Sequence, residues 1–368
     1  MGTTEHRRLR HEGVSRRRLL QMAGSLLVSG PSTALGQAKV PIADMHSHYG
    51  MITRTMADSG LAADMRSQGV VLVAWKGIAD LGWTRRTPTG IEQKSEPGAG
   101  EIARAFERTI GRMKAYVAQE GLRAVLTPAD VDACVAGQPG IVLAAEGADF
   151  LEGRVERLDA VYAKGLRHLQ LVHYIRTPVG DIQTASPTHN GLSAMGQRLV
   201  SACNAKGMLV DLAHCTGSGV EQALKISTAP MIWSHGWVDR VEGDWRDRLG
   251  YLRRRLSLSL ARKIADRGGV IGLWGLGLSR GGQPWPVLRG DTNGYARELK
   301  DLVGKLGADH VAIGSDVEGL AESWSVNDYG GVRAVVDHLQ SLKLESSVVE
   351  RVAYRNYARV LRAALTPA

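Results

Sequence analysis

Five of the chain's eleven histidines stand directly after short apolar runs: His46 and His48 in His46-Ser47-His48, then His173, His214 and His235. Two carboxylates, Glu146 and Asp316, occupy the same kind of position. Imidazole and carboxylate are the ligands that Zn²⁺ and its neighbours favour. A His-x-His at the end of an extended segment places two imidazoles on one side once the chain kinks into its loop. A glutamate closing an apolar run is costly as an unpaired charge. Bridging two cations removes that cost, and two metals about 3.5–4 Å apart acidify a water between them. Asp316 suits a second task as well, moving the proton of the attacking water. A single histidine after one apolar run is as readily a structural core residue. Glu146 alone could pair with a barrel Arg or Lys. Six such ends in one chain point to a metal-dependent hydrolase.

The segments that must position these residues repeat one pattern. Apolar runs cover Val40 to Met45, Val70 to Ala74, Ile141 to Ala145, Leu169 to Val172, Met208 to Ala213, Met231 to Ser234, Val270 to Trp274 and Val311 to Ser315. They are short and rich in Val, Ile and Leu, as strands buried on both faces are. Amphipathic stretches lie between them, among them Ala99 to Glu120, Ser193 to Lys206 and Leu256 to Arg267, with Ser257 as a helix cap. Eight strands alternating with helices predict an α/β fold of the (β/α)8 TIM-barrel class, whose active site lies at the C-terminal strand ends. A doubly wound sheet is the rival, but no G-x-G-x-x-G follows an early strand. The connection from Lys76 to Pro97 reads as long and polar and includes an irregular loop. The segment Gly275 to Asp291 reads as a lid or a plain connection, and Ser346 to Leu365 as one closing helix.

Residues 1–38 read apart from the rest. Ser15-Arg16-Arg17-Arg18-Leu19-Leu20-Gln21 resembles a twin-arginine export motif, followed by a mildly apolar stretch and a cleavage site at Gly36-Gln37-Ala38. The expectation is a signal peptide over 1–38, a metallohydrolase domain over 39–368 and a periplasmic or otherwise exported protein. Six arginines against two glutamates in that leader account for four of the nine formal positive charges. The remaining charge is no argument for nucleic acid, and the basic stretch Arg246 to Arg255 lacks the spaced aromatics of a single-strand groove. The mature chain holds no apolar run of membrane-spanning length. Its partner is then a small molecule, and a homodimer is compatible with the sequence but unmarked in it. Three cysteines, Cys134, Cys203 and Cys215, permit one disulfide at most and match no zinc-finger spacing; buried inert thiols are expected.

Longer motifs add a resemblance. Asn190-Gly191-Leu192-Ser193-Ala194-Met195-Gly196, Lys206-Gly207-Met208-Leu209-Val210-Asp211-Leu212-Ala213-His214, Pro230-Met231-Ile232-Trp233-Ser234-His235 and Asp309-His310-Val311-Ala312-Ile313-Gly314-Ser315-Asp316 are similar to the renal (membrane) dipeptidase family. Glu146-Gly147 and the closing Asn356-Tyr357-Ala358-Arg359-Val360-Leu361 fit it too. The resemblance implies a (β/α)8 barrel with two zinc ions that hydrolyses dipeptides. By position, His46 binds the first metal, Glu146 bridges, His214 and His235 bind the second, and Asp316 handles protons beside the first. His173 matches the residue that contacts substrate and steadies the oxyanion. The arginine that grips the substrate carboxylate falls at Arg254, with Arg253 and Arg255 as alternatives. The chain departs from the family at His46-Ser47-His48, where His-x-Asp is usual. His48 remains a ligand candidate but replaces an anion with a neutral group. The segment Tyr174-Ile175-Arg176-Thr177-Pro178 differs as well. These departures keep two other readings open: a hydrolase of lactones, N-acyl amino acids or cyclic amides, and a non-catalytic exported metal-binding barrel.

Overall fold

The computed structural model describes Met1 and residues 39–367, apart from 53–54, 88–89, 240–252, 276–278, 281–282, 285–290 and 320–325. The expected leader at 1–38 therefore lies outside the described residues, as does most of the basic stretch at 246–255. From Val40 onward the chain forms one compact unit.

Eight parallel strands close on themselves: β1 (Ile42–Ser47), β2 (Val70–Ile78), β3 (Gly140–Glu146), β4 (His168–Gln170), β5 (Leu209–Asp211), β6 (Ile232–Trp233), β7 (Val270–Leu273) and β8 (Val311–Ile313). Each pairs with its sequence neighbour, and β8 returns to β1 through Asp44 opposite Ile313. The β2–β3 seam is the longest, seven pairs from Leu72–Gly140 to Ile78–Glu146. Every residue of these strands is buried, because helices cover the outside while side chains fill the inside. This is the expected (β/α)8 barrel.

Polar side chains end the loops that leave the strand tips. Ser193, Thr216, Ser257, Asp291 and Asp328 each accept the backbone N–H three residues on, capping the helices Ala194–Lys206, Gly217–Ile226, Leu258–Asp266, Thr292–Leu306 and Tyr329–Ser341. Such caps stabilise a helix by about 1 kcal/mol each. They fix where each βα loop stops, so the residues between strand and cap are held at the C-terminal rim.

The connection after Lys76 carries regular structure ahead of its irregular end at 94–100. Strand β2 continues through Lys76 to Ile78, and an antiparallel hairpin pairs Thr84–Thr87 with Gly90–Gln93. Its charged pair Arg85–Glu92, 2.8 Å apart and facing solvent, is what made the segment look loop-like. The expectation of one closing helix needs correction: a π-helical stretch, Arg351–Arg355, joins Ser346–Glu350 to Asn356–Ala364. The segment 275–291 shows Ser279–Arg280 paired with Gln283–Pro284, and its remainder lies largely outside the described residues. All three cysteines are buried and unpaired, with burial pushing each thiol up and leaving it inert. No helix among the described residues is long and apolar enough to cross a membrane.

Candidate active site

The barrel rim brings the predicted residues together. His46 and His48 leave β1, Glu146 ends β3, and His173 and His214 follow β4 and β5. His235 follows β6, and Asp316 follows β8. Their side chains are 0–6 % exposed. Two of these positions use backbone that non-glycine residues avoid: φ is +69° at His214 and +55° at Asp316. Left-handed backbone there turns each chain off its strand at the point where a side chain must face the axis. Gly147, at φ +86°, does the same after Glu146; a Cβ there would fall 2.3 Å from an Asp149 carboxyl oxygen.

Glu146 sits between two pairs of imidazoles. The Nε2 atoms of His46 and His48 are 3.0 Å apart, and those of His214 and His235 are 3.3 Å apart. Two ligands of one tetrahedral zinc, at bonds of about 2.0–2.1 Å, stand about 3.3 Å from each other. Glu146 Oε2 lies 2.9 Å from His48 Nε2, and Oε1 lies 3.2 Å from His214 Nε2 and 3.5 Å from His235 Nε2. Asp316 Oδ1 approaches His48 Nε2 at 3.4 Å and His46 Nε2 at 3.6 Å. Three triads can each converge on an ion: His46–His48–Glu146, His46–His235–Asp316 and Glu146–His214–His235.

Hydrogen bonding shows that these atoms suit a cation. His48 Nδ1 faces the Lys76 carbonyl at 2.9 Å, and a carbonyl only accepts, so Nδ1 carries a proton and Nε2 is the nitrogen available to an ion. Nε2 meets a second imidazole nitrogen and two carboxylate oxygens, a set with a cation's place among it. Burial holds His46 down at about 3. His214 and His235 also lie well below the usual range, through burial first and then the Arg254 and His46 charges respectively. Neutral imidazoles are the ligand form. Burial alone would lift Glu146, but His173, His46 and His48 hold it well below its ordinary value, so it stays an anion. Burial opposes charge on His48 too, yet Glu146 and Asp316 raise it, which marks where positive charge is wanted. Burial lifts Asp316 to about 7.

Arg254 resolves the choice among three arginines. It is 1 % exposed, with Nη2 2.9 Å from His235 Nε2 and Nη1 donating to the Tyr174 hydroxyl at 3.1 Å. Its guanidinium carbon lies 5.2 Å over the Trp274 ring. Arg253 donates to the Thr184 carbonyl and Arg255 pairs with Asp239, both away from the metal ligands. Among the described residues Arg254 has no carboxylate within ion-pair distance. The pocket above is tight, about 30 Å³, and its wall is apolar: Ile52, Ile78, Leu81 and Ile91, with Thr84.

Sequence reasoning missed the residues that hold the ligands. Asp44, fully buried, accepts from the backbone N–H groups of His46 (3.1 Å) and Ser315 (2.9 Å), tying β1 to β8. Asp211, also fully buried, accepts from Ala213 and Ser234 N–H groups, both at 3.0 Å, tying β5 to β6. Lys76 Nζ meets Asp211 at 2.7 Å and His168 at 3.0 Å inside the barrel. The Ser234 hydroxyl sits 3.0 Å from both His46 Nδ1 and His235 Nδ1. Asp80, past the end of β2, bonds His173 Nδ1 at 2.7 Å. A signal existed for Asp44, Asp211 and Lys76, each a charge inside a run otherwise fit for burial.

Comparison with known proteins agrees with this geometry. The profile of the membrane dipeptidase family, peptidase family M19, matches residues 87–367. An uncharacterized protein from Klebsiella pneumoniae, encoded in the pqqA 5' region, is 27% identical over 252 residues, 66% of this chain and 88% of that protein. Dipeptidase tcpJ of Claviceps purpurea is 26% identical over 61% of this chain, which spans about half (51%) of that relative's length. A metallo peptidase from Rhodobacter sphaeroides, solved with a phosphinate mimic of the dipeptide L-Ala-D-Ala, superposes with a TM-score of 0.71 at 17% identity, covering 89% of this chain and 99% of that one. With a shared barrel, a rim that gathers metal ligands and a family match over three quarters of its length, the chain belongs to the membrane dipeptidase family and is a zinc-dependent, dipeptidase-like hydrolase.

Proposed function

We propose that this chain is an exported, binuclear zinc hydrolase that cleaves dipeptides. The observation that carries the reading is Glu146, whose Oε2 lies 2.9 Å from His48 Nε2 while its Oε1 lies 3.2, 3.4 and 3.5 Å from the Nε2 atoms of His214, His46 and His235. His46, His48 and Asp316 would hold one ion and His214 and His235 the other, with Glu146 between. Such ions supply polarisation of the scissile carbonyl and acidification of the attacking water.

The chain's own residues do the rest. Arg254 holds the substrate's free carboxylate through a charge-assisted contact, which matches its lack of a described acidic partner. The apolar wall of Ile52, Ile78, Leu81 and Ile91 receives the uncharged part of the substrate. Asp316 takes the proton of the attacking water and passes it to the leaving amine. His173 donates from Nε2 to the oxygen that gains charge as the carbonyl becomes tetrahedral. The leader at 1–38 directs export by the twin-arginine route.

Metal analysis together with a substrate panel tests the reading. The expected result is close to two ions per chain, activity lost on chelation, and dipeptides preferred over N-acyl amino acids and lactones. Glu146→Gln should lose metal and at least ~100-fold in kcat/KM. Full metal content with normal turnover in that variant would end the bridging role. Preference for acylated amino acids would move the substrate to the class that His48, in place of the family's aspartate, leaves open.

A further inference from the structure

His173 is served by groups that none of these roles uses. Two buried acids stand near it: Asp80, fully buried, and Asp149, 5 % exposed. They differ in what they touch. Asp80 Oδ1 lies 2.7 Å from His173 Nδ1, and Asp80 Oδ2 accepts the Tyr174 backbone N–H at 3.2 Å. One carboxylate, from a strand end 93 residues earlier, thus fixes both the ring and the backbone just after it. Asp149 makes no such bond. Neither of its oxygens has a hydrogen-bond partner of good geometry, and Oδ2 folds back over Gly147. Burial and then the charge of Asp80 push its carboxyl up to about 8, in keeping with a neutral acid beside a charged one.

We propose that Asp80 is the positioning residue of His173, accepting its Nδ1–H and so aiming the Nε2–H at the substrate carbonyl. An ionised carboxylate only accepts, so the nitrogen it meets must bear hydrogen. Nε2 faces the site 3.3 Å from Glu146 Oε2, so a ring set between two carboxylates bears hydrogen on that nitrogen too, the donor its oxyanion role requires. The Tyr174 and His214 rings, 4.5 and 4.7 Å from the His173 ring between centroids, limit its tilt. The Tyr174 N–H bond keeps the carboxylate from rotating away. This rests on the role given to His173 above.

Asp80→Asn and Asp149→Asn separate the hydrogen bond to His173 from the mere loss of a buried carboxyl beside it. Both remove one buried acid beside His173, and only the first removes a bond to it. Asparagine at 80 must also place its amide nitrogen against either the ring N–H or the Tyr174 N–H, donor against donor. The expected result for Asp80→Asn is a kcat lower by about 10²–10⁴-fold with KM within about threefold, the pattern of lost transition-state support. Metal content should stay that of the parent. Binding of a phosphinate pseudodipeptide, which carries the oxyanion, should weaken by at least about 100-fold. Asp149→Asn should keep kcat within about threefold. A second readout needs no turnover: ¹⁵N spectra of histidine-labelled, zinc-loaded protein, with His173 assigned by its absence in His173→Gln. Its Nδ1 signal should report a bound proton in the parent and in Asp149→Asn, and shift in Asp80→Asn. Unchanged nitrogen shifts in Asp80→Asn, or equal kcat losses in the two variants, would overturn the proposal. If the parent cleaves no dipeptide, the substrate reading fails, and the nitrogen shifts still decide the role of Asp80.

Discussion

The metal-facing rim has two halves, and each hangs on one buried aspartate. Asp44 ties β1 to β8 and so sets His46, His48 and Asp316; Asp211 ties β5 to β6 and so sets His214 and His235. Both accept two backbone N–H groups from neighbouring strand ends. They differ in what neutralises them. Asp211 has Lys76 at 2.7 Å, which overrides burial and holds its carboxyl well below the ordinary value. Among the described residues Asp44 has only hydroxyl and amide donors, the Ser315 Oγ among them at 2.5 Å, and burial lifts it to about 6. The same clamp is therefore a permanent anion on one side and a titrating group on the other. The half that leans on the titrating clamp is the half where His48 stands.

The strongest way to break this contrast is to remove the cation. Lys76→Met leaves Asp211 as an uncompensated buried charge and should cost about 3–5 kcal/mol in urea unfolding. Adding Asp211→Asn to it should recover part of that loss. A cost under about 1 kcal/mol would show that Lys76 does not carry the second clamp.

The next effect is one of pH. Asp44 binds its proton more tightly when folded (about 6) than when unfolded (about 3.9), so its contribution to stability falls as pH rises between those values. Asparagine mimics the protonated acid. Asp44→Asn should thus match the parent near pH 4 and gain on it by up to roughly 3 kcal/mol by pH 7. For Asp211→Asn the sign reverses: the parent's advantage should be flat from pH 5 to 8 and shrink only in stronger acid, as the depressed carboxyl protonates. Parallel pH profiles for the two variants would dissolve the distinction.

The smallest effect belongs to Tyr329, whose hydroxyl reaches Asp44 Oδ2 at 3.5 Å. Tyr329→Phe should cost about 0.5 kcal/mol or less. A larger loss would mean that Asp44 relies on that hydroxyl as its main counterweight.

Much of this was legible in the residues. The eight apolar runs overlap the eight barrel strands, because strands covered on both faces are mostly apolar and such runs stand out from the amphipathic stretches between them. The ligands stood out because each follows such a run. Arg254 was favoured over Arg253 and Arg255 by the resemblance alone, since burial and direction are set by packing that three consecutive arginines do not reveal. Asp44, Asp211 and Lys76 were hidden for the opposite reason. Each lies within a strand or its apolar run, where its meaning depends on a partner from elsewhere in the chain: Ser315 for Asp44, Lys76 for Asp211. The hairpin at 84–93 was missed because two short strands with charged outer faces show no apolar alternation.

The left-handed backbone at His214 and Asp316 has a consequence for engineering. An L-residue with a side chain pays about 1–2 kcal/mol to sit there, and glycine would sit there freely. Selection for heat resistance alone therefore pushes against both residues. A library screened only for surviving fold should accumulate glycine or asparagine at 214 and 316, whereas one screened for turnover should keep His214 and Asp316. The gap between the two outcomes measures how much thermal tolerance the metal rim gives up to hold its ligands in place.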